Sequence, residues 1–361
     1  MNRVLPQVTG TPRILLGGLA LAFLGIAVTF VLDPYRNYQL AIVAAYFCAT
    51  AGLSVLVGLT GQLSLGHAAL MAAGGYGYAL AASLVDGMAD GGPGTSGDEG
   101  TSVVRVLAGL AGAVVVSGVL GLLLGLAGAR LRGPYLAGLT LALVIALPAV
   151  TAVLRGVLGG DQGLRAPYED VPPALERLVA LEQWHAWIAI LAASVAATGL
   201  VLLRRSRAGL QMRAVHGDET AARLSGVPAG RVKVVAFVAS AVSAGLGGAV
   251  LCLVTQSVSP GAYSLAFSLL LVVAAVVGGL GSLGGAAVGS AVVVLLPWLI
   301  ESVTTALDLP ADLQQRLSGN LAVLVFGALL VVVTLAWPGG AAGALAARRA
   351  ARSQQPPLTE R

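Results

Sequence analysis

Residues 204–233 read RRSRAGLQMRAVHGDETAARLSGVPAGRVK. Arg204, Arg205, Arg207, Arg213, Arg223, Arg231 and Lys233 stand there against only Asp218 and Glu219. Apolar runs frame the segment, 184–203 before it and 234–255 after it. Runs of roughly 20 apolar residues cross the hydrocarbon core as helices. A cationic loop between two of them stays on the cytoplasmic side. The same alternation of apolar run and polar break continues along the chain.

Composition agrees with this reading. The chain is 57% hydrophobic and 10% charged, with a mean hydropathy of +0.89. A soluble domain carries about 25% charged residues, so these charges are too few to cover a water-facing surface. Lipid satisfies no open backbone groups, which leaves helices or closed barrels. The runs are too long and too rich in Leu, Ala and Val for alternating barrel strands. The expected fold is an all-α membrane protein, a polytopic bundle of ten transmembrane helices. Its spans are 14–32, 38–59, 64–85, 103–128, 135–154, 184–203, 234–255, 266–281, 285–300 and 319–337.

Charge placement tests that count. With both termini inside, the inner segments hold 15 of the 21 Lys and Arg and only 3 of the 16 Asp and Glu. Lys and Arg set orientation, so the expected topology is N-in and C-in, in a multi-pass cell-membrane protein. The net charge of +5 is then positive-inside bias and not a nucleic-acid surface. The expected organisation is a cytoplasmic segment 1–13, a transmembrane domain 14–337 with the cytoplasmic loop 204–233, and an Ala/Arg-rich unstructured tail 338–361. Arg3 and Arg13 precede an apolar run too long for a signal peptide and without a small-residue cleavage site, so it is kept as the first span. Residues 86–102 read as a mobile outer loop, and 174–183 as a short surface helix before the interfacial Trp184 and Trp187. Cys48 and Cys252 lie in apolar spans and read as packed side chains.

The spans carry little chemistry. Ionisable residues inside a membrane mark ion relays, yet no expected span has an Asp, Glu, Lys or Arg at its centre, and His67 and Glu301 fall near span ends. An ion-coupled carrier, the alternative reading, would need such a residue. A membrane enzyme would need a catalytic constellation, and none emerges. His67, His185 and His216 suggest no metal site, and no cofactor is expected. A phosphate-binding loop ends in Gly-Lys-Ser/Thr. The only lysine, Lys233, sits between Val232 and Val234, so any ATP would be bound by another subunit.

Three stretches stand out. GLTGQLSLGHAALMAAGGYGYAL, 58–80, sets Gln62, Ser64, His67 and Tyr76 along a Gly-rich run. It reads either as a turn with a satisfied histidine or as an element of the translocation path. In the basic loop, Asp218 and Glu219 open a short helix that Gly226 and Pro228 stop, and a partner could grip it. Gly281, Gly285 and Gly289 keep the four-residue spacing of close helix packing.

These stretches resemble the Liv-type permeases, membrane subunits of branched-chain amino acid ABC importers, and most of all their LivM branch. The resemblance rests on 58–80, on 205–250 and on 259–291, and runs over roughly 38–337. It implies a second related permease subunit, two ATPase subunits and an extracellular solute-binding protein as partners. It also implies that Glu219, Ala221, Ala222 and Gly226, with the neighbouring Asp218, form the motif that couples to the ATPase. Members of the family carry Leu, Ile and Val, other amino acids, short amides or urea.

Overall fold

The computed structural model describes residues 11–88, 99–131, 134–172 and 175–306, with isolated positions between 327 and 343. Twelve helices follow in order: α1 (Thr11–Thr29), α2 (Pro34–Thr60), α3 (His67–Met88), α4 (Glu99–Arg130), α5 (Pro134–Val153), α6 (Arg155–Leu158), α7 (Leu181–Arg205), α8 (Arg207–Gly217), α9 (Glu219–Leu224), α10 (Ala229–Thr255), α11 (Leu265–Gly278) and α12 (Leu283–Ala306). The only sheet among the described residues pairs β1 (Leu164–Arg165) with β2 (Ser257–Val258), antiparallel, with Leu164 opposite Val258. The chain is an all-α polytopic membrane protein.

Eight of these helices, α1, α2, α3, α4, α5, α7, α10 and α12, are long and apolar enough to cross a membrane. The expected span 266–281 is instead the 14-residue α11. At 1.5 Å per residue it is about 21 Å long, short of a hydrocarbon core of about 30 Å. It stops early because Gly279, at φ 105°, takes the chain out of the helix. The expected span 319–337, residues 89–98 of the outer loop, residues 1–10 and most of the tail lie outside the described residues. Gly339 and Ala342 of that tail lie against Gly279.

Two segments expected to lie outside are more ordered or less helical than expected. α3 runs on to Met88 and α4 starts at Glu99, so helix replaces both ends of the 86–102 loop. The short helix expected over 174–183 is a single turn at 175–178, where the Leu175 and Glu176 N–H groups donate to the Pro172 carbonyl. A lone turn lacks the length to propagate as helix.

α10 lies at the centre, with 78% of its span buried, and α2 and α3 follow at 67% each. α1 is peripheral at 6% and packs on α7. Small residues let backbones approach closely in lipid. Gly74 of α3 meets Gly245 of α10, and Gly121 and Gly125 of α4 meet Ala241 and Phe237. Gly285 and Gly289 of α12 lie against Gly278 and Ala274 of α11. Gly281, expected to share that helical face, lies before α12 in the turn, at φ 79°. Its N–H donates to the Ser54 carbonyl (3.0 Å) and hydroxyl (2.9 Å), and its carbonyl accepts from Arg204 (2.9 Å).

Candidate translocation and coupling site

α2 ends at Thr60 because Gly61, at φ 69°, adopts the left-handed cap and returns its N–H to the Val57 carbonyl. Residues 61–66 form no helix, and α3 begins only at His67. Neighbouring contacts fix the depth of this break. Gly52 of α2 abuts Ser240 and Ser243, near the middle of α10. Thr60 lies eight residues further along α2, about 12 Å toward the α8 end of the bundle. His67 nonetheless reaches Ser240, with its Nε2 2.8 Å from the hydroxyl. Residues 61–66 therefore climb back from the end of α2 to mid-bundle. His67 is the first residue of the α3 span, near a span end as the sequence suggested, yet it lies deep in the bundle and is fully buried.

Such backbone is tolerated at membrane depth only where protein or a water-filled cavity encloses it. Three helices supply the partners. Thr140 of α5 accepts the Leu65 N–H at 3.0 Å. Ser268 of α11 donates to the Leu65 carbonyl at 2.5 Å and accepts the Ala68 N–H at 3.4 Å. Ser240 of α10 holds one His67 nitrogen, and Ser64 holds the other at 3.0 Å. Gly66 is packed so closely on the Thr140 carbonyl that a Cβ would collide with it. Gln62 shares a 3.5 Å contact with Thr60, and its buried amide nitrogen has no protein partner. The Tyr76 hydroxyl, further along α3, is likewise buried and unpartnered. Gln62, Ser64 and His67 thus belong to one break, and Tyr76 stands apart from it. Thr140, Ser240 and Ser268 escaped sequence reading because a lone hydroxyl in an apolar run carries no mark of what it bonds.

The basic loop folds as two helices. Ser206 caps α8 by accepting the Gly209 N–H, and Asp218 caps α9 by accepting those of Thr220 and Ala221. Glu219 is held by Lys233 at 2.9 Å and by Arg223. The Lys233 bond is the main reason its carboxyl lies below the usual range. Ala222 is buried, and Met212 and Val215 fix α8 to the bundle. Ala221 and Gly226 are exposed, with Gly226 at φ 82°. Asp218, Glu219 and Ala222 therefore shape α9, while the surface it offers outward includes Ala221, Gly226 and Leu224, the last 87% exposed. Sequence reading passed over Leu224 and also His216, whose ring lies against Gly61. The end of α8 thus touches the hinge where the helix break starts. Among the described residues no group of three or more His, Cys, Asp or Glu could hold a metal.

Comparison with known proteins agrees with this architecture. A family model described as "Branched-chain amino acid transport system / permease component" matches residues 35–334. The high-affinity branched-chain amino acid transport system permease protein LivM of Salmonella typhimurium is 28% identical over 301 residues, covering 77% of this chain and 67% of its own. Its Escherichia coli counterpart is 27% identical with the same coverage. No solved structure matches. With a family match that takes in every described helix from the start of α2 to α12, and with the helix break and the basic two-helix loop both inside it, the chain belongs to the permease component family of branched-chain amino acid transport systems.

Proposed function

We propose that the chain is the permease subunit of an ABC importer, working with a second related permease, two ATPase subunits and an extracellular solute-binding protein. It provides the path for a small polar solute, in the first place a branched-chain or related amino acid such as the LivM relatives are named for. It has no ATPase site of its own and needs no cofactor, and ATP acts through the partner subunits. One observation supports the coupling most directly. His216, at the end of α8, rests on Gly61, where α2 gives way to residues 61–66.

A push on α8 and α9 would be felt first at Gly61, whose left-handed conformation is a natural pivot. From there it passes to the segment that Ser64 and His67 tie to mid-bundle. Gln62 and Tyr76, two of the buried polar groups without a hydrogen-bond partner, line the way that a solute would take. Leu224 is the grip: it is exposed and supports nothing in this chain, so a partner groove is the natural place for it.

Leu224→Asp tests the reading in co-purification from mild detergent and in uptake. The expected result is a fold and membrane level like those of the parent, loss of co-purifying ATPase subunits, and uptake reduced by more than tenfold. Retained ATPase and normal uptake in Leu224→Asp would overturn the coupling assignment.

A further inference from the structure

α1 and α7 enclose a groove of about 360 Å³ that belongs neither to the helix break nor to the coupling helices. The two helices run antiparallel, with Gly18 against Thr198 and Gly25 against Ile190. Arg13 lies about 8 Å beyond Gly18, and Arg205 about 11 Å beyond Thr198 in the same direction, at 1.5 Å per residue. Both arginines line the groove, so two guanidinium groups from two helices stand at one end of it. Arg13 lies in the first turn of α1 and Arg205 is the last residue of α7. Each therefore sits where an apolar helix leaves the hydrocarbon.

Among the described residues, neither arginine forms an ion pair and no acid lines the groove. Away from them the walls are apolar, with Leu21 on one side and Val201 on the other. At the far end the Ser194 hydroxyl is buried without a hydrogen-bond partner. Gly17 keeps the trough open, since a Cβ there would meet nothing within 4 Å. A soluble anion would answer only the arginines. An amphiphile with an anionic head and an acyl tail answers both halves of the groove, and cationic pockets at the membrane boundary hold such heads.

We propose that this groove binds one anionic phospholipid. Its phosphodiester lies between Arg13 and Arg205, and one acyl chain runs past Gly17 between Leu21 and Val201. α1 precedes the matched residues 35–334, and the lipid would join this added helix to the bundle.

The test is lipid retention by the full-length chain, measured by native mass spectrometry in detergent with phosphatidylglycerol, phosphatidylcholine or inorganic phosphate. Phosphatidylglycerol is expected to be retained at least tenfold better than phosphatidylcholine. Arg13→Gln with Arg205→Gln should abolish that preference. Gly17→Leu should abolish retention with both arginines in place, because its Cβ enters open space and its branch extends into the trough. Equal retention of the two lipids, or phosphatidylglycerol retention unchanged in both variants, would overturn the proposal. So would binding of inorganic phosphate alone, equal in the parent and Gly17→Leu, with no lipid held.

Discussion

Glu169 is the residue whose environment makes the sharpest demand. It is a carboxylate only 1% exposed, in the segment between α6 and α7. Arg105 of α4 faces it at 3.4 Å and also pairs with Asp86 of α3 at 2.6 Å. Ser102 donates to it at 3.2 Å, and the His185 ring contacts its backbone carbonyl at 3.2 Å. Burial pushes its carboxyl up to about 7 against the opposing pull of Arg105. An unfolded glutamate titrates near pH 4.3, so between roughly 4.3 and 7 the folded chain binds the extra proton. Stability must then fall as pH rises through that window and level off above it. Glu169→Gln removes this one contribution and leaves Asp86, Arg105 and His185 in place. Melting followed by tryptophan fluorescence in detergent should show the variant gaining on the parent between pH 5 and pH 8. Parallel melting curves across that range would mean that Glu169 keeps the same protonation in both states.

At the scale of the element, close approach decides which helices pair. Gly289 lies so near the Ala274 carbonyl that any side chain would collide, whereas a Cβ at Gly284, on the same helix, would meet nothing within 4 Å. Gly289→Leu should therefore separate α11 from α12, at a cost of about 1–3 kcal/mol for overpacking. Gly284→Leu should melt like the parent, and equal melting of the two variants would remove packing as the role of Gly289. Part of this was legible in the chain itself. Apolar runs broken by Gly and charge located the long helices, and a four-residue spacing placed Gly285 and Gly289 on one face. The spacing failed at Gly281 because the turn with φ 79° precedes the helix. Spans ending at 59 and restarting at 64 did place a turn here, but gave no sign that it would run over 61–66 and climb back into the bundle. That break depends on hydroxyls from α5, α10 and α11, which lie far away in sequence. For the same reason the depth of His67 could not be read from its position in the run.

At the scale of the molecule, the arrangement separates a buried core from sides that are mainly apolar along the spans. α10, α2 and α3 are enclosed, while α1 and α4 present Leu16, Phe23, Leu107 and Val115 outward. Those sides can face only lipid or another apolar partner. Charge divides the remaining surface into two ends. α8 and α9 expose Arg207, Arg213 and Arg223, and the 159–180 segment exposes Asp161, Asp170 and Glu176 against Arg165 and Arg177. Positive-inside bias then predicts that α9 lies in the cytoplasm and the acidic segment outside. Cysteines at Ser225 and Glu176, both exposed, would report the two sides separately. The native Cys48 and Cys252 are buried and should contribute little background. In intact cells a membrane-impermeant maleimide should label the Glu176→Cys chain and spare the Ser225→Cys chain until the membrane is opened. If both positions label from outside, or the order is reversed, the basic loop cannot be where an ATPase reaches it, and the proposed coupling falls with the orientation.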